Sequence, residues 1–459
     1  MKELTRGSII GHLLTMAAPV LLFMTFQAAY VMVSLYFAAQ LGDAMVAGIG
    51  TASVVAFVIS SFTQVLGVGT AALIAHAVGR RDTEDTTLLL NQSLALSLLF
   101  AAAVMLIGYS LAGGAIGGIA ADAATTEAAV SYLHWCLPGL CLQFPLSSLS
   151  GALRGGGIVR PTMAAYVVTI VVNIALAPVL IVGWGSGVAF GAAGAGLASS
   201  ISVAVGTLLL LIYVRSMHDG PSIDLRQMKP RVCQWQRILK LGLPAGAEMA
   251  CTFIYTAAVY WAIREFGAHA QAAFGVSSRI IQALMMPAAA ISQVASPIVG
   301  QSFGAGDLAR VRGVLRSTLI LSVTPMAAAG LLLYLTAGWL LKPFSDDPAV
   351  VVIGKSFLQI SAAALVARGM VSACSGLMQG LGNTLFPLLS AVTALSAFTC
   401  VVLWHAGESR FSLEDFWYLS TATFALQALV SIVLLRLELS RCRNTQFMSL
   451  EEHSLKSGT

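Results

Sequence analysis

Three charged side chains fall inside long apolar stretches of the sequence: Glu248, Arg279 and Arg368. An ionisable group inside a hydrocarbon layer costs several kcal/mol, so each of them is a functional candidate. A carboxylate in apolar surroundings can load and release protons near neutral pH. Glu248 is therefore the candidate for ion coupling, and the alternative is a permanently neutral or ion-paired structural acid.

The spacing of these residues also predicts a pair. Counted inward from the outer helix ends, taken at residues 264 and 354, Glu248 lies roughly 24 Å deep and Arg368 roughly 21 Å deep. Arg279 lies only about 13 Å deep on the same scale. We therefore predict a Glu248–Arg368 ion pair, whose fixed positive charge disfavours sodium and keeps the glutamate ionised. A purely structural ion pair near a cytoplasmic gate is the alternative.

Other side chains in the apolar stretches are candidates for a substrate pathway, and we include Arg279 and Ser34 among them. Tyr30, Phe253 and Tyr255 can offer aromatic faces to an organic cation. Asn173 and Gln282 either line such a pathway or hydrogen-bond between helices, and hydrogen bonding between helices is the commoner role.

The elements that position these residues are membrane-spanning helices. Residues are 58% hydrophobic and 10% charged, with a mean hydropathy of +0.85, which a soluble chain of this length could not solvate. Twelve apolar runs are each long enough to cross a bilayer, so the sequence predicts an all-α membrane protein. The runs are 13–38, 46–77, 88–113, 128–153, 162–184, 190–214, 238–263, 271–301, 314–341, 353–379, 384–405 and 416–437.

The two halves of the chain match each other at a constant offset of 225 residues, without a gap from about residue 19 to 157. Pro19 pairs with Pro244, and Tyr30 with Tyr255. This indicates duplication of a six-helix half. Paired halves in membrane proteins usually build a central pathway, which favours transport.

Basic residues predict the topology. With twelve spans, nineteen Lys and Arg residues lie on the side of both termini and four on the other side. Both termini are therefore expected in the cytoplasm, with the protein in the cytoplasmic (inner) membrane.

The sequence also predicts the domain boundaries. We predict an N-lobe at 1–220, a cytoplasmic linker at 221–236, a C-lobe at 237–443 and a mobile tail at 444–459.

Glycine-rich strings follow three of the predicted helices. They are SPIVGQSFGAGD from Ser296, GALRGGGIVRP from Gly151 and GLMQGLGNTLFP from Gly376. Glycine and proline at these positions predict helix-ending turns and close packing, and direct substrate contact is the alternative.

Together these strings resemble the multidrug and toxic compound extrusion (MATE) transporter family. VGQSFGAGD is close to that family's VGQ-x-x-GAG signature, and the other two strings resemble its paired ALRG-type loops. The resemblance implies two pseudo-symmetric six-helix lobes that form a V around a central cavity. It also implies export of amphipathic, often cationic, organic compounds against a proton or sodium gradient.

The sequence departs from this family in its N-lobe. The resemblance is closer to the DinF-like branch, yet the helix-one aspartate position is Ser34. Asn173 is kept, but the acid four residues later is Ala177. The C-lobe keeps Glu248 in a GLPAxxE context, and the 225-residue offset places Phe23 opposite it. Coupling is therefore expected in the C-lobe.

The sequence thus predicts a secondary active antiporter that works by alternating access as a monomer. Its partners are small organic substrates and the lipid bilayer, not nucleic acid. We expect no cofactor beyond the coupling ion, H⁺ or Na⁺, and no metal site, since the seven cysteines form no CxxC. The alternatives are a lipid-linked precursor flippase and an uncoupled facilitator or sensor. An enzyme is not expected, because no catalytic cluster or nucleotide-binding loop is present.

Overall fold

The computed structural model describes the backbone of residues 3–39, 43–117, 122–185, 187–217, 220–405 and 412–457. Side chains are described over the same ranges except at 31–32, 34–35, 38–39, 43–44, 111–113, 115, 117, 405 and 444–457.

The described chain is built from twelve long helices, one for each predicted span, which confirms the all-α membrane fold. A π-helical turn, Pro178–Val182, continues the fifth helix, and a 3-10 turn, Arg264–Phe266, follows the seventh. The helices are α1 (Ile9–Ala39), α2 (Asp43–Gly79), α3 (Thr83–Gly117), α4 (Ala123–Gly155), α5 (Arg160–Ala177), α6 (Gly191–Ser216), α7 (Val232–Ile263), α8 (Ala268–Gly304), α9 (Leu308–Leu341), α10 (Pro348–Gly380), α11 (Leu385–His405) and α12 (Leu413–Ser457).

Eleven of these described helices are apolar and long enough to cross a membrane. The remaining one is α7, which carries Arg237, Lys240 and Glu248. The last helix is longer than its apolar run predicts: α12 continues as helix through Ser457 instead of ending near residue 437. Good helix formers such as Leu, Glu and Lys fill that extension, which explains why the helix persists beyond the apolar residues.

The chain divides into two compact units, and the division falls inside helices. The first unit consists of Met1–Leu4 and Ala18–Gly246, and the second of Thr5–Ala17 and Ala247–Thr459. The divisions in α1 and α7 lie within three residues of Pro19 and Pro244, which match at the 225-residue offset. Proline removes a backbone hydrogen bond inside a helix, so these are the positions where each helix can bend.

Each unit has its own core. In the first unit α4 is central: 78% of its most apolar window is buried, against 17% for α2. Its Leu137 and Phe144 are fully buried. In the second unit, Phe357 of α10 packs edge-on against Trp417 of α12, with ring centroids 4.6 Å apart. Burial of such large aromatic side chains dominates the packing energy.

Glycines in α4 and α10 allow a neighbouring helix to approach at matching places in the two units. A Cβ at Gly151 would collide with the backbone oxygen of Gly67 in α2, and a Cβ at Gly376 with that of Ser292 in α8. One turn later the same holds for Gly155 with Ala71 and Gly380 with Ser296. The close-packing interpretation of these glycine-rich motifs is confirmed.

Aspartates cap the helices at matching positions as well. The Thr125 N–H donates to Asp122 at 2.7 Å before α4, and the Ala349 N–H donates to Asp347 at 2.8 Å before α10. The backbone hydrogen bond from Thr125 holds the pKa of Asp122 below its usual value. The caps of α3 and α9 repeat the pattern with Asp82 and Asp307.

In α6 and α12 the 225-residue repeat shifts by about one helical turn. Ser200 of α6 donates to the Trp135 carbonyl at 2.5 Å, and Thr421 of α12 donates to the Ile360 carbonyl at 3.4 Å. Trp135 and Ile360 are 225 residues apart, whereas Ser200 and Thr421 are 221 apart. The four-residue difference is about one helical turn, so the contact is kept although the numbering slips.

The predicted linker is held by hydrogen bonds to the first unit. Asn91 and Gln92 of α3 are fully buried. Asn91 accepts from the Asp224 N–H at 2.9 Å, and Gln92 donates to the Lys229 carbonyl at 2.8 Å. Gln92 also accepts from the Arg231 N–H at 2.9 Å. Two buried side-chain amides thus substitute for the backbone partners that an irregular segment lacks.

Candidate functional site

The carboxylate of Glu248 is the centre of a polar cluster in the second unit. It lies on α7, four residues after Pro244. The Ser375 hydroxyl of α10 donates to Glu248 Oε1 at 2.7 Å, and the Gln379 amide donates to Oε2 at 3.2 Å. Gln379 also donates to the Ser375 hydroxyl oxygen at 3.1 Å. Each oxygen of the carboxylate therefore has one neutral donor.

This cluster can serve both protonation states of the acid. An ionised carboxylate accepts both hydrogen bonds as they stand. A protonated carboxyl needs an acceptor for its own O–H, and a serine hydroxyl can rotate to become that acceptor. Gln379 then still supplies the Ser375 oxygen with a donor. A carboxylate served only by fixed cations would lack this reversibility.

Arg368, the predicted partner of Glu248, has a different neighbour. Its guanidinium carbon lies 3.7 Å from the ring centroid of Phe424 on α12. Among the described residues, no ion pair or hydrogen bond joins Arg368 to Glu248. The predicted Glu248–Arg368 salt bridge is therefore absent from this structure. A cation above an aromatic face gains about 0.5–2 kcal/mol.

The helix register explains why the depth estimate misplaced Arg368. Glu248 faces Ser375, which is seven residues beyond Arg368, so the two charged groups are offset by about 10 Å along α10. α10 begins at Pro348, and counting from that residue places Arg368 about 30 Å deep, so the choice of helix end does not account for the difference. Counts from helix ends therefore did not give the relative level of residues on α7 and α10.

An aromatic cluster lies beside Arg368. The Tyr255 ring is 5.3 Å from Phe424 and 5.0 Å from Phe398, centroid to centroid. The Tyr255 hydroxyl lies 3.0 Å from the Ser420 hydroxyl, so the polar end of the ring is satisfied within the unit. Tyr255 thus contacts the same Phe424 that stacks on the guanidinium.

The other substrate-pathway candidates of the second unit lie at its surface. Phe253 is 43% exposed, and Arg279 and Gln282 are exposed on α8. Arg279 and Gln282 form no hydrogen bond or ion pair with any residue that the structure describes. Their placement in a substrate cavity stays a prediction.

The predicted substrate-pathway residues of the first unit are uncharged side chains. Asn173 is 7% exposed and donates to the Ser199 hydroxyl at 3.3 Å. Tyr30 is partly buried. The Ser34 side chain lies outside the described side chains. Asn173 thus forms a hydrogen bond between α5 and α6, and its role in lining a substrate cavity stays a prediction.

Three partners in the second unit were not predicted: Ser375, Gln379 and Phe424. Ser375 and Gln379 follow Arg368 by seven and eleven residues, so all three lie on one face of α10. That spacing is visible in the sequence and could have indicated them. The position of Phe424 was not accessible in this way, because it depends on how α12 packs against α10.

The chain belongs to the MatE family, whose profile matches residues 19–179 and 244–404. The two matched segments are equal in length and 225 residues apart, so the family unit is the duplicated half itself. Membership makes the chain a multi-pass membrane transporter of the MATE efflux class, not an enzyme.

Known members resemble the chain over most of their length. A probable multidrug resistance protein, YoeA of Bacillus subtilis, is 24% identical over 85% of each chain. The multidrug export protein MepA of Staphylococcus haemolyticus is 23% identical over 82% of each. A solved structure of a multidrug resistance MATE transporter in an outward-facing conformation covers 96% of this chain and 98% of its own. It superposes with a TM-score of 0.88 at 23% identity, so the two share a fold.

Proposed function

We propose that the protein exports amphipathic organic compounds, cations among them, in exchange for protons that bind Glu248. The observation that carries this proposal is the Glu248–Ser375–Gln379 cluster, with one donor on each carboxylate oxygen. In the cycle, Glu248 takes up a proton from the outside and releases it to the cytoplasm, and substrate moves in the opposite direction by alternating access.

The donor set favours a proton over sodium. A sodium ion needs several oxygen ligands around it, whereas both oxygens of Glu248 face hydrogen donors. Sodium binding would require Gln379 to turn its amide oxygen inward and Ser375 to move its proton away. Protonation needs only a rotation of the Ser375 hydroxyl.

The remaining assignments rest on the sequence and on the relatives. The excess of basic residues on one side supports cytoplasmic termini in the inner membrane. The names of YoeA and MepA support drug-like substrates for this chain. We also assign the chain to the DinF-like branch and to a monomeric working state, with coupling confined to the C-lobe.

The test is efflux of a fluorescent organic cation from proteoliposomes under an imposed pH gradient. The wild-type protein is expected to move the dye uphill, and Glu248→Gln to lose uphill movement but retain dye binding. Glutamine keeps the size and hydrogen-bonding capacity of the side chain but cannot ionise. Dye affinity and thermal unfolding of the variant serve as controls for folding.

Two results would count against the proposal. Normal uphill export by Glu248→Gln would remove the coupling role of Glu248. Uphill export by the wild type that follows a sodium gradient and ignores a pH gradient would assign the ion to sodium.

A second candidate function is an uncoupled facilitator. It is favoured by the first unit, where Phe23 occupies the position that matches Glu248. It predicts that neither gradient drives uphill dye movement, although dye equilibrates across the membrane faster than in empty liposomes.

A further inference from the structure

Arg368 is a charged side chain without an acidic partner among the residues that the structure describes. The residue is partly buried, and its Nε is buried without a hydrogen-bond acceptor. Among the described residues, its guanidinium forms no ion pair and donates no hydrogen bond. Arginine stays protonated in proteins, so the charge persists. A buried cation without a counter-charge is unfavourable unless another group supplies that charge.

Phe424 covers one face of the guanidinium, and no acceptor among the described side chains meets its edge. Phe424 stacks on the face at 3.7 Å. The Tyr255 hydroxyl, which could have accepted a hydrogen bond, is engaged with Ser420 at 3.0 Å. The N–H donors of a guanidinium lie in its plane, so stacking does not engage them, although the Nε–H itself is buried. A planar pair of oxygens fits this edge best.

The nearest embedded carboxylate on these helices does not fill the role. Glu248 is offset from Arg368 by about two turns of α10, and its oxygens accept from Ser375 and Gln379. One face of α10 therefore has a cation, Arg368, about 10 Å along the helix from the place where it meets the acid of α7. The aromatic rings of Tyr255 and Phe424 lie at the cationic end.

We propose that Arg368 binds the carboxylate of a transported aromatic substrate, so that the substrates include organic anions and zwitterions as well as cations. The guanidinium receives the carboxylate edge-on, and the substrate's ring packs beside Phe424 and Tyr255. This proposal rests on the proposed export function and extends it to a substrate class.

The test uses two forms of one fluorescent xanthene dye, the free carboxylate and its methyl ester. Equilibrium binding of each dye to the purified full-length protein is measured by fluorescence polarisation. Arg368→Gln introduces the residue found at the matching position of the first unit, Gln143. It is expected to weaken carboxylate-dye binding about tenfold to a hundredfold, because a charge-assisted hydrogen-bonded pair is lost. Binding of the ester is expected to be unchanged.

Arg368→Lys and Arg316→Gln complete the set. Lysine keeps the charge but loses the two-pronged geometry, so an intermediate loss for the carboxylate dye is expected. Arg316 is exposed near the start of α9, and Arg316→Gln removes one positive charge without a change in either dye. The assignment would be overturned if Arg368→Gln weakened the binding of both dyes equally. It would also be overturned if Arg368→Gln bound the carboxylate dye as well as the wild type does.

Further measurements distinguish a failure of the Arg368 site from a failure of the proposed export function. Uphill transport of the ester dye by the wild type, without carboxylate binding, would reject the Arg368 site and leave the export function intact. Failure of both dyes to move uphill, with Arg368-dependent carboxylate binding intact, would reject coupled export and leave the site intact.

An anionic lipid headgroup is the other possible source of an anion for Arg368. A lipid ligand would be indicated if anionic vesicles competed with the carboxylate dye for the protein while Arg368→Gln left transport of that dye unchanged. That result would overturn the substrate role of Arg368.

Discussion

Matching positions in the two units carry opposite chemistry. In the second unit, Glu248, Ser375 and Gln379 form a hydrogen-bonded acid cluster. The 225-residue offset places Phe23, Ser150 and Arg154 at the same positions in the first unit. There the Phe23 ring packs on Tyr166 with centroids 5.1 Å apart, and a partly buried arginine stands where the second unit has Gln379.

The contacts that hold the helices together did not diverge in this way. The glycine crossings, at which Gly151 of α4 packs on α2 and Gly376 of α10 packs on α8, are alike in the two units. The aspartate caps of α4 and α10 are alike as well. A close backbone approach tolerates no added atoms, so those glycines are alike in the two units, whereas the side chains at the positions of the acid cluster differ. The duplicated scaffold therefore supports one acidic unit and one without an acid at this place.

The largest expected effect is a loss of stability on substitution of the glycines at the crossings that both units share. Gly151→Ala and Gly376→Ala each place a Cβ against a backbone carbonyl, which a helix cannot easily move. Each variant is expected to be destabilised by about 1–3 kcal/mol, despite the better helix propensity of alanine. Apparent thermal unfolding in detergent measures this. Gly50→Ala, whose Cβ would meet nothing within 4 Å, is the control and should not be destabilised. A large loss in only one unit would show that the crossings are not equivalent.

A smaller, functional effect separates the units. Ser375→Ala removes the hydroxyl that serves Glu248, and pH-driven dye efflux is expected to fall about tenfold. Ser150→Ala is the matched control, because the Ser150 hydroxyl is buried with no hydrogen-bond partner among the described residues. That variant should transport like the wild type. Equal losses in the two variants would mean that both serines act only in packing.

The smallest effect concerns the matching helix caps outside the apolar core. Asp122→Ala and Asp347→Ala each leave a backbone N–H without its cap and should lower thermal stability slightly. Asp347→Ala should cost more, since Asp347 also contacts His269 at 3.2 Å.

The Asp122 cap also predicts a pH dependence. Hydrogen bonding from Thr125 holds the folded-state pKa of Asp122 low. Its stabilisation is therefore complete above the ordinary aspartate pKa and is lost as the pH falls through the lowered one. The stability difference between the wild type and Asp122→Ala should shrink in acid. A difference that is constant with pH would show that the carboxylate charge does not contribute.

The scaffold was largely predictable from the sequence, for physical reasons. The length of each apolar run fixes a spanning helix, so each run became a helix, and the constant offset identified the duplicated unit. The end of α12 was not predictable in the same way, because its last residues are polar yet strong helix formers. The four-residue shift between α6 and α12 lies beyond the gapless match and shows only in the Ser200 and Thr421 contacts.

The site was predictable in its acid but not in its partners. Glu248 stands out because an acid in an apolar run is rare, and this needs no three-dimensional information. Its partner depends on the relative level of α7 and α10, which sequence counts could not supply. The assignment to Arg368 was therefore wrong by about two helical turns, although Ser375 and Gln379 lie on the same face of α10 as Arg368.

The central claim is that the second unit alone carries the coupling proton, on Glu248. The most direct measurement is proton release on binding of a cationic dye to the purified protein, followed with a pH indicator in weak buffer over a series of starting pH values. The account predicts release by the wild type, equal release by Asn173→Ala in the first unit, and none by Glu248→Gln. Release that persists in Glu248→Gln at the wild-type level would contradict it.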